Sequence, residues 1–90
     1  MNKGDLINAI ADQAGLSKSQ AEDALNATLE AITGALKSDD SVTVVGFGSF
    51  SVSRREARTG RNPRTGETIQ IAAKNSAKFK PGKKLNDALN

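Results

Sequence analysis

The sequence predicts an α+β protein with an N-terminal helical hairpin, a three-stranded antiparallel sheet carrying a long β-ribbon arm, and a short C-terminal helix. Three observations predict this class. Apolar residues recur at helical spacing in the first half of the chain, and they alternate with polar residues in the second half. Between Arg54 and Arg64, five arginines stand beside a single acid. We expect one domain over residues 1–90, mainly helical over 1–45, with the arm at about 54–74.

Two amphipathic helices are predicted in the first half. Asn2 suits the N-cap of the first helix, and Gly15 suits the position just after its end. Ser17 and Gln20 have capping-box spacing and open the second, longer helix. The apolar stripe of the second helix is flanked by further alanines, so this helix has a surplus face that suits a subunit interface.

The strands and the arm are predicted in the second half. A β-branched strand over 42–45 precedes a Gly46-Phe47-Gly48 turn and a second strand, which the arginine-rich segment continues outward. Residues 68–74 alternate again as the returning leg, Lys78-Phe79-Lys80 is the last strand, and 83–89 form the terminal helix. Each leg of about ten residues reaches roughly 30 Å, so the arm projects into solvent. The three phenylalanines are assigned to the core.

The charge is distributed unevenly along the chain. Residues 1–45 carry three basic and seven acidic side chains, a net charge of 3 − 7 = −4. Residues 46–90 carry ten basic and three acidic side chains, a net charge of 10 − 3 = +7, and the two halves sum to the overall +3. Such an asymmetry indicates that the second half binds a polyanion.

The core available to a single chain is small. Thirteen of the 90 residues are alanine, and only three are aromatic. Burial of about 25 cal/mol per Å² of apolar surface then barely offsets roughly 1.5 kcal/mol of conformational entropy per ordered residue. We therefore expect the chain to associate as a homodimer.

The sequence offers little for catalysis or metal binding. Cysteine, histidine, tyrosine and tryptophan are all absent, which removes the commonest nucleophiles, general bases and metal ligands. Asp39 and Asp40 lie in a polar loop, and the Gly46-Phe47-Gly48 turn is too short for a nucleotide-binding fingerprint. We predict no enzyme activity and no cofactor.

The N-terminus also lacks the features of targeting and membrane segments. It runs straight into an amphipathic pattern with no apolar core of the signal-peptide type. No apolar run approaches the ~18 residues that cross a bilayer. We expect a cytoplasmic protein with no membrane partner.

The arm has the chemistry of a minor-groove ligand. A solubilising surface would mix the signs of charge, whereas clustered arginines favour bidentate phosphate contacts. Pro63 is an ordinary turn former by its local sequence, but at the tip of two arginine-bearing legs it is also an apolar wedge able to enter a base step. Single-stranded nucleic acid favours stacking aromatics, which the basic half does not offer, so a duplex is the expected partner. Few side chains could read base edges, which predicts weak sequence preference.

Three motifs add a family resemblance. They are Gly46-Phe47-Gly48-x-Phe50, Arg58-Thr59-Gly60-Arg61-Asn62-Pro63-x-Thr65-Gly66 and Phe79-x-Pro81-Gly82-Lys83. Together they resemble the bacterial HU family of histone-like DNA-binding proteins. The resemblance implies an intertwined dimer whose two arms embrace DNA through the minor groove, with Pro63 inserted between base pairs. It also implies association with the nucleoid, as a homodimer or as a heterodimer with a paralogous subunit.

These considerations predict a set of DNA-binding residues and leave two other functions open. A sequence-specific DNA bender like integration host factor is one alternative, and an RNA-binding module is the other. The predicted DNA-binding residues are Lys3, Gly46, Gly48, Arg54, Arg55, Arg58, Arg61, Asn62, Pro63, Arg64, Lys74, Lys80, Lys83 and Lys84.

Overall fold

The computed structural model describes all 90 residues and has the predicted α+β architecture. The chain divides into two compact units, Met1–Gly34 and Ala35–Asn90. No helix is both long enough and apolar enough to cross a membrane. The elements in chain order are α1 (Lys3–Ala14), α2 (Lys18–Lys37), β1 (Val42–Val44), β2 (Gly48–Arg55), β3 (Arg58–Arg61), β4 (Thr68–Ile71), β5 (Lys74–Pro81) and α3 (Lys83–Ala88).

Local capping chemistry sets the ends of α1 and the start of α2. The Asp5 N–H donates to the Asn2 side chain at 2.9 Å, and the Asn2 N–H donates to the Asp5 carboxylate at 3.1 Å. Gly15 follows α1 in the left-handed conformation, with a φ of 68°. Ser17 and Gln20 exchange the same reciprocal pair of hydrogen bonds, at 3.0 and 3.1 Å. The three predicted caps are therefore confirmed.

Few side chains of the N-terminal unit are buried. Ala11, Ala21 and Leu25 are the buried apolar residues of the chain. Leu6 of α1 and Leu29 of α2 remain 40% and 46% exposed. The helical unit thus keeps an apolar surface that it does not cover by itself, as the surplus of small and apolar residues on α2 suggested.

The C-terminal unit contains a three-stranded antiparallel sheet in the order β1-β2-β5. Phe50 pairs with Val42 on one side and with Phe79 on the other, and Val52 pairs with Ala77. Because paired residues share a face and neighbours along a strand alternate, these residues form one apolar face. The opposite face is polar and is described below.

The strand boundaries differ from the prediction in three places. The first strand ends at Val44, and Val45 lies in the following turn, where it is 96% exposed. The last strand is longer than Lys78–Lys80, because β5 pairs with β2 over its whole length from residue 74 to 81. The arm is also interrupted, because β3 and β4 form a separate two-stranded sheet. Alternation in the sequence does not reveal where pairing begins and ends.

The three phenylalanines pack on one another, but the single chain does not enclose them. The Phe79 ring lies 5.5 Å from that of Phe47 and 4.9 Å from that of Phe50, in tilted arrangements. Phe47 and Phe79 nevertheless remain 47% and 41% exposed. Their assignment to a closed core of one chain was therefore wrong. The cluster forms the apolar surface of the sheet, and one chain of 90 residues has too little mass to cover it.

Candidate nucleic-acid interface

The second face of the sheet is polar and basic. Ser49, Ser51 and Ser53 of β2 alternate with the apolar residues and point to this face. Their partners on β5 are Lys80, Lys78 and Ser76, and the last pair of the strands joins Arg55 to Lys74. The strand β5 is exposed along its length. Small hydroxyl side chains beside long basic ones leave the lysine ammonium groups accessible to a phosphate backbone.

Lys78 belongs to this basic face, although sequence reasoning did not select it as a DNA-binding residue. It lies between Lys80 and Ser76 on β5 and opposite Ser51 on β2. Its signal was present in the sequence as the period of two over Lys74, Ser76, Lys78 and Lys80. That period predicts one shared face only if the last strand extends back to residue 74, and the prediction began the strand at residue 78.

Beyond the sheet, β3 and β4 form the distal ribbon, defined here as residues 58–71 with their connecting turn. Arg58 pairs with Ile71, Gly60 with Ile69, and Arg61 with Thr68. Ile71 lies directly over Gly60, where an added Cβ would come within 2.9 Å of its Cδ1 atom. One face of the distal ribbon therefore carries Arg58 and two isoleucines, and the other carries Arg61 among hydroxyl and amide side chains.

The tip of the ribbon is a closed turn that leaves Pro63 exposed. The Asn62 N–H donates to the Glu67 carbonyl and the Gly66 N–H donates to the Asn62 carbonyl, both at 2.8 Å. The Asn62 side chain accepts from the Arg64 N–H at 2.9 Å. Gly66 has a φ of 74°, which glycine tolerates best. Asn62 thus has a structural role in the turn, and the Pro63 ring lies at the exposed apex.

The arginines of the arm have almost no acidic partners within the chain. The only ion pair joins Arg54 to Glu56 at 3.9 Å, with both side chains mostly exposed. The Arg55 guanidinium instead donates to the Ala72 carbonyl at 2.9 Å. Arg58, Arg61 and Arg64 are exposed and form neither an ion pair nor a side-chain hydrogen bond. Three guanidinium groups on the distal ribbon therefore have all five of their N–H donors available.

A second basic cluster surrounds the Gly46-Phe47-Gly48 turn. The Gly82 N–H donates to the Phe47 carbonyl at 2.7 Å, so the turn is fixed against the start of α3. The stem of Lys84 lies against Gly46, where an added Cβ would meet its Cδ at 3.0 Å. Gly46 and Gly48 therefore serve close packing at this turn. The lysines at positions 80, 83 and 84 are gathered around it.

Lys3 is the one predicted site residue outside the C-terminal unit. It is the first residue of α1 and is exposed. Every other predicted DNA-binding residue belongs to the unit Ala35–Asn90. No group of three or more metal-ligating side chains is present in the chain.

Comparisons with known proteins give the same picture. The model of the bacterial DNA-binding protein family matches residues 1–90. The chain is 60% identical to DNA-binding protein HU-1 of Halalkalibacterium halodurans and 57% identical to DNA-binding protein HU-beta of Pseudomonas aeruginosa, each over 100% of both chains. Its structure is similar to an Anabaena HU–DNA cocrystal structure, with a TM-score of 0.86 and 46% identity over 99% of this chain and 97% of that one.

The matches confirm three of the predictions. The resemblance to histone-like proteins is confirmed over the full length rather than at the three motifs only. The α+β architecture with a ribbon arm is confirmed by the structural similarity. The prediction that the chain is not an enzyme is confirmed because the family consists of structural DNA-binding proteins. The chain belongs to the HU family of bacterial DNA-binding proteins.

Proposed function

We propose that this chain is a histone-like architectural protein that binds double-stranded DNA with little sequence preference and bends it. The observation that carries the proposal is the exposed distal ribbon, whose Arg58, Arg61 and Arg64 have no acidic partner in the chain. Counterion release on phosphate binding supplies affinity that does not depend on sequence. The similarity to a chain that was crystallised with DNA supports the same function.

The minor groove suits these residues better than the major groove. Sequence readout in the major groove uses a helix or side chains placed against base edges, and this ribbon presents mainly arginine, threonine and isoleucine. Arginine favours a narrow minor groove, where the negative potential is strongest. An apolar residue at the apex can part a base step there at a cost of a few kcal/mol. We assign that role to Pro63.

The functional unit is a homodimer that places one arm on each side of the duplex. Each chain leaves an apolar surface that includes the half-exposed Phe47, Phe79 and Leu29. Burying such surfaces between two chains supplies the stability that one small core lacks. A dimer with two arms holds DNA in a bent form and so compacts the chromosome. The protein acts in the cytoplasm on the nucleoid.

The remaining basic residues contact phosphates outside the bent step. Lys74, Lys78 and Lys80 of the polar sheet face approach the backbone beside the arm. Lys83 and Lys84, together with the exposed amides of the Gly46-Phe47-Gly48 turn, provide a phosphate contact at the base of the arm. The proposed interface consists of Lys3, Gly46, Gly48, Arg54, Arg55, Arg58, Arg61, Asn62, Pro63, Arg64, Lys74, Lys78, Lys80, Lys83 and Lys84.

Competition for a labelled nicked DNA duplex tests this function against the two alternatives. Unlabelled nicked duplex should compete best, intact duplex of random sequence less well, and duplex RNA least. Nicked DNA bends at little cost, whereas A-form RNA presents a wide and shallow minor groove. RNA that competes as well as nicked DNA would favour an RNA-binding module. A single DNA sequence that exceeds random DNA by about 10³-fold would indicate a sequence-specific bender.

Replacing Pro63 by alanine should reduce DNA bending more than affinity. The variant keeps every arginine, so counterion release is unchanged, and it loses only the ring at the apex. We expect the end-to-end distance of a doubly labelled duplex, measured by energy transfer, to increase in the complex. Affinity should change by less than about tenfold, which corresponds to 1.4 kcal/mol. Thr65→Ala alters the same turn but leaves the ring, so its bend angle should match that of the unaltered protein. Equal bend angles for Pro63→Ala and the unaltered protein would exclude the wedge.

A further inference from the structure

The arm contains an unpaired segment between the sheet and the distal ribbon. Pairing of β2 with β5 ends at Arg55 and Lys74, and pairing of β3 with β4 begins at Arg58 and Ile71. Glu56, Ala57, Ala72 and Ala73 lie between and belong to no strand; we name these four residues the junction.

The register is the same on both sides of the junction. The pairing that joins Arg55 to Lys74 would, if continued, join Ala57 to Ala72 and then Arg58 to Ile71, which is the observed pair. A β-bulge adds a residue to one strand and shifts the register. The junction shifts nothing, so it is a local loss of pairing inside one continuous ribbon.

The residues of the junction explain why pairing fails there. Glutamate and alanine are poor strand formers, and cross-strand pairs of side chains provide most of the stability of a two-stranded ribbon. The would-be pairs are Glu56 with Ala73 and Ala57 with Ala72, and neither brings two large side chains together. The adjacent pair, Arg55 with Lys74, sets two positive charges directly opposite each other, which is unfavourable.

One side-chain bond crosses the junction. The Nη2 atom of Arg55 donates to the carbonyl oxygen of Ala72, at 2.9 Å. This bond joins the outgoing leg to the returning leg where the backbone ladder is missing. The neighbouring Arg54 faces Glu56 on its own leg, and the arginines of the distal ribbon make no such bond.

We propose that Arg55 is a positioning residue that braces the junction and thereby sets the direction of the distal ribbon. Without this bond, the Ala72 carbonyl would turn to water and the four junction residues would lose their only cross-leg restraint. The distal ribbon would then be less ordered before it meets a ligand, and that order would have to be restored on binding. The effect on DNA rests on the proposed function, whereas the brace itself is a property of the chain without DNA.

Backbone ¹⁵N relaxation of the DNA-free protein tests the brace. The variants are Arg55→Gln, Arg55→Lys, which keeps the charge and loses the planar fork, and Arg58→Gln as the matched control. In the unaltered protein and in Arg58→Gln, order parameters of residues 58–71 should stay near those of β2, at about 0.85. In Arg55→Gln they should fall toward about 0.6, with an intermediate value in Arg55→Lys. Equal order parameters in Arg55→Gln and Arg58→Gln would overturn the proposal.

Binding to a nicked duplex over a range of salt concentrations separates positioning from direct phosphate binding. Arg58→Gln should make the dependence of log K on log salt shallower by about 0.9 for each phosphate that the variant no longer neutralises. Arg55→Gln should weaken binding about tenfold with a smaller change of slope, because the substitution acts mainly through order. Unchanged order together with a slope change equal to that of Arg58→Gln would identify Arg55 as a phosphate ligand only. If the unaltered protein did not bind DNA, the proposed function would fail, and the relaxation data would still decide whether Arg55 is a brace.

Discussion

Replacing Arg58, Arg61 and Arg64 together by glutamine should weaken binding to a nicked duplex by about 10³- to 10⁵-fold at 0.1 M salt. The three side chains are exposed and have no acidic partner, so their charge is available for phosphate. A dimer loses six such charges, and each neutralised phosphate contributes about 0.9 decade of affinity for each tenfold dilution of salt below 1 M. A fluorescence anisotropy titration measures the change in affinity directly.

The variant separates binding from folding because these side chains form no hydrogen bond or ion pair within the chain. Its unfolding temperature should therefore stay close to that of the unaltered protein. Lys18→Gln combined with Lys37→Gln provides the control, since it removes positive charge from α2 instead of the arm. That control should keep its affinity. A loss of less than tenfold in the three-arginine variant would contradict the assigned role of the distal ribbon.

Replacing Gly48 by alanine should destabilise the protein by about 2–3 kcal/mol through overpacking. An added Cβ would lie 2.6 Å from the Lys80 carbonyl oxygen and 2.7 Å from the Phe79 ring. The backbone cannot move away easily, because Gly48 is paired on both sides, with Val44 of β1 and Pro81 of β5. For a domain of this size the destabilisation lowers the unfolding temperature by roughly 4–8 °C per kcal/mol. Circular dichroism during heating measures the shift.

Gly34→Ala is the matched control for this effect. Gly34 lies inside α2, and an added Cβ there would meet no atom within 4 Å. Alanine in a helix interior is favoured over glycine by about 0.5–1 kcal/mol, so this variant should unfold at a higher temperature. The two substitutions change the same atoms and should have opposite signs. An unfolding temperature for Gly48→Ala equal to that of the unaltered protein would contradict the packing described at this turn.

Local chemistry explains why parts of the fold could be predicted from the sequence. The caps at Asn2, Gly15 and Ser17 depend only on residues three or four positions away, and all three were confirmed. The clustering of arginine in the arm is likewise a property of adjacent residues, so the sequence was sufficient to indicate an exposed basic ribbon.

Features that depend on pairing between distant residues were not predicted. The junction exists because Ala57 faces Ala72 across the arm, and neither leg alone shows that these small residues coincide. Lys78 was missed for the same reason, since its membership of the basic face follows from its pairing with Ser51. The exposure of Phe47 was missed because one chain cannot cover the apolar face of its own sheet.

The most direct test of the central claim is the salt dependence of binding to a nicked duplex. If the arms of the dimer neutralise six to ten phosphates, log K should fall against log salt with a slope of roughly −5 to −9. In the variant that lacks Arg58, Arg61 and Arg64, the slope should be shallower by about five, because the dimer then leaves six phosphates without an arginine partner. A slope near zero for the unaltered protein, or equal slopes for the two proteins, would contradict a basic ribbon that grips the DNA backbone.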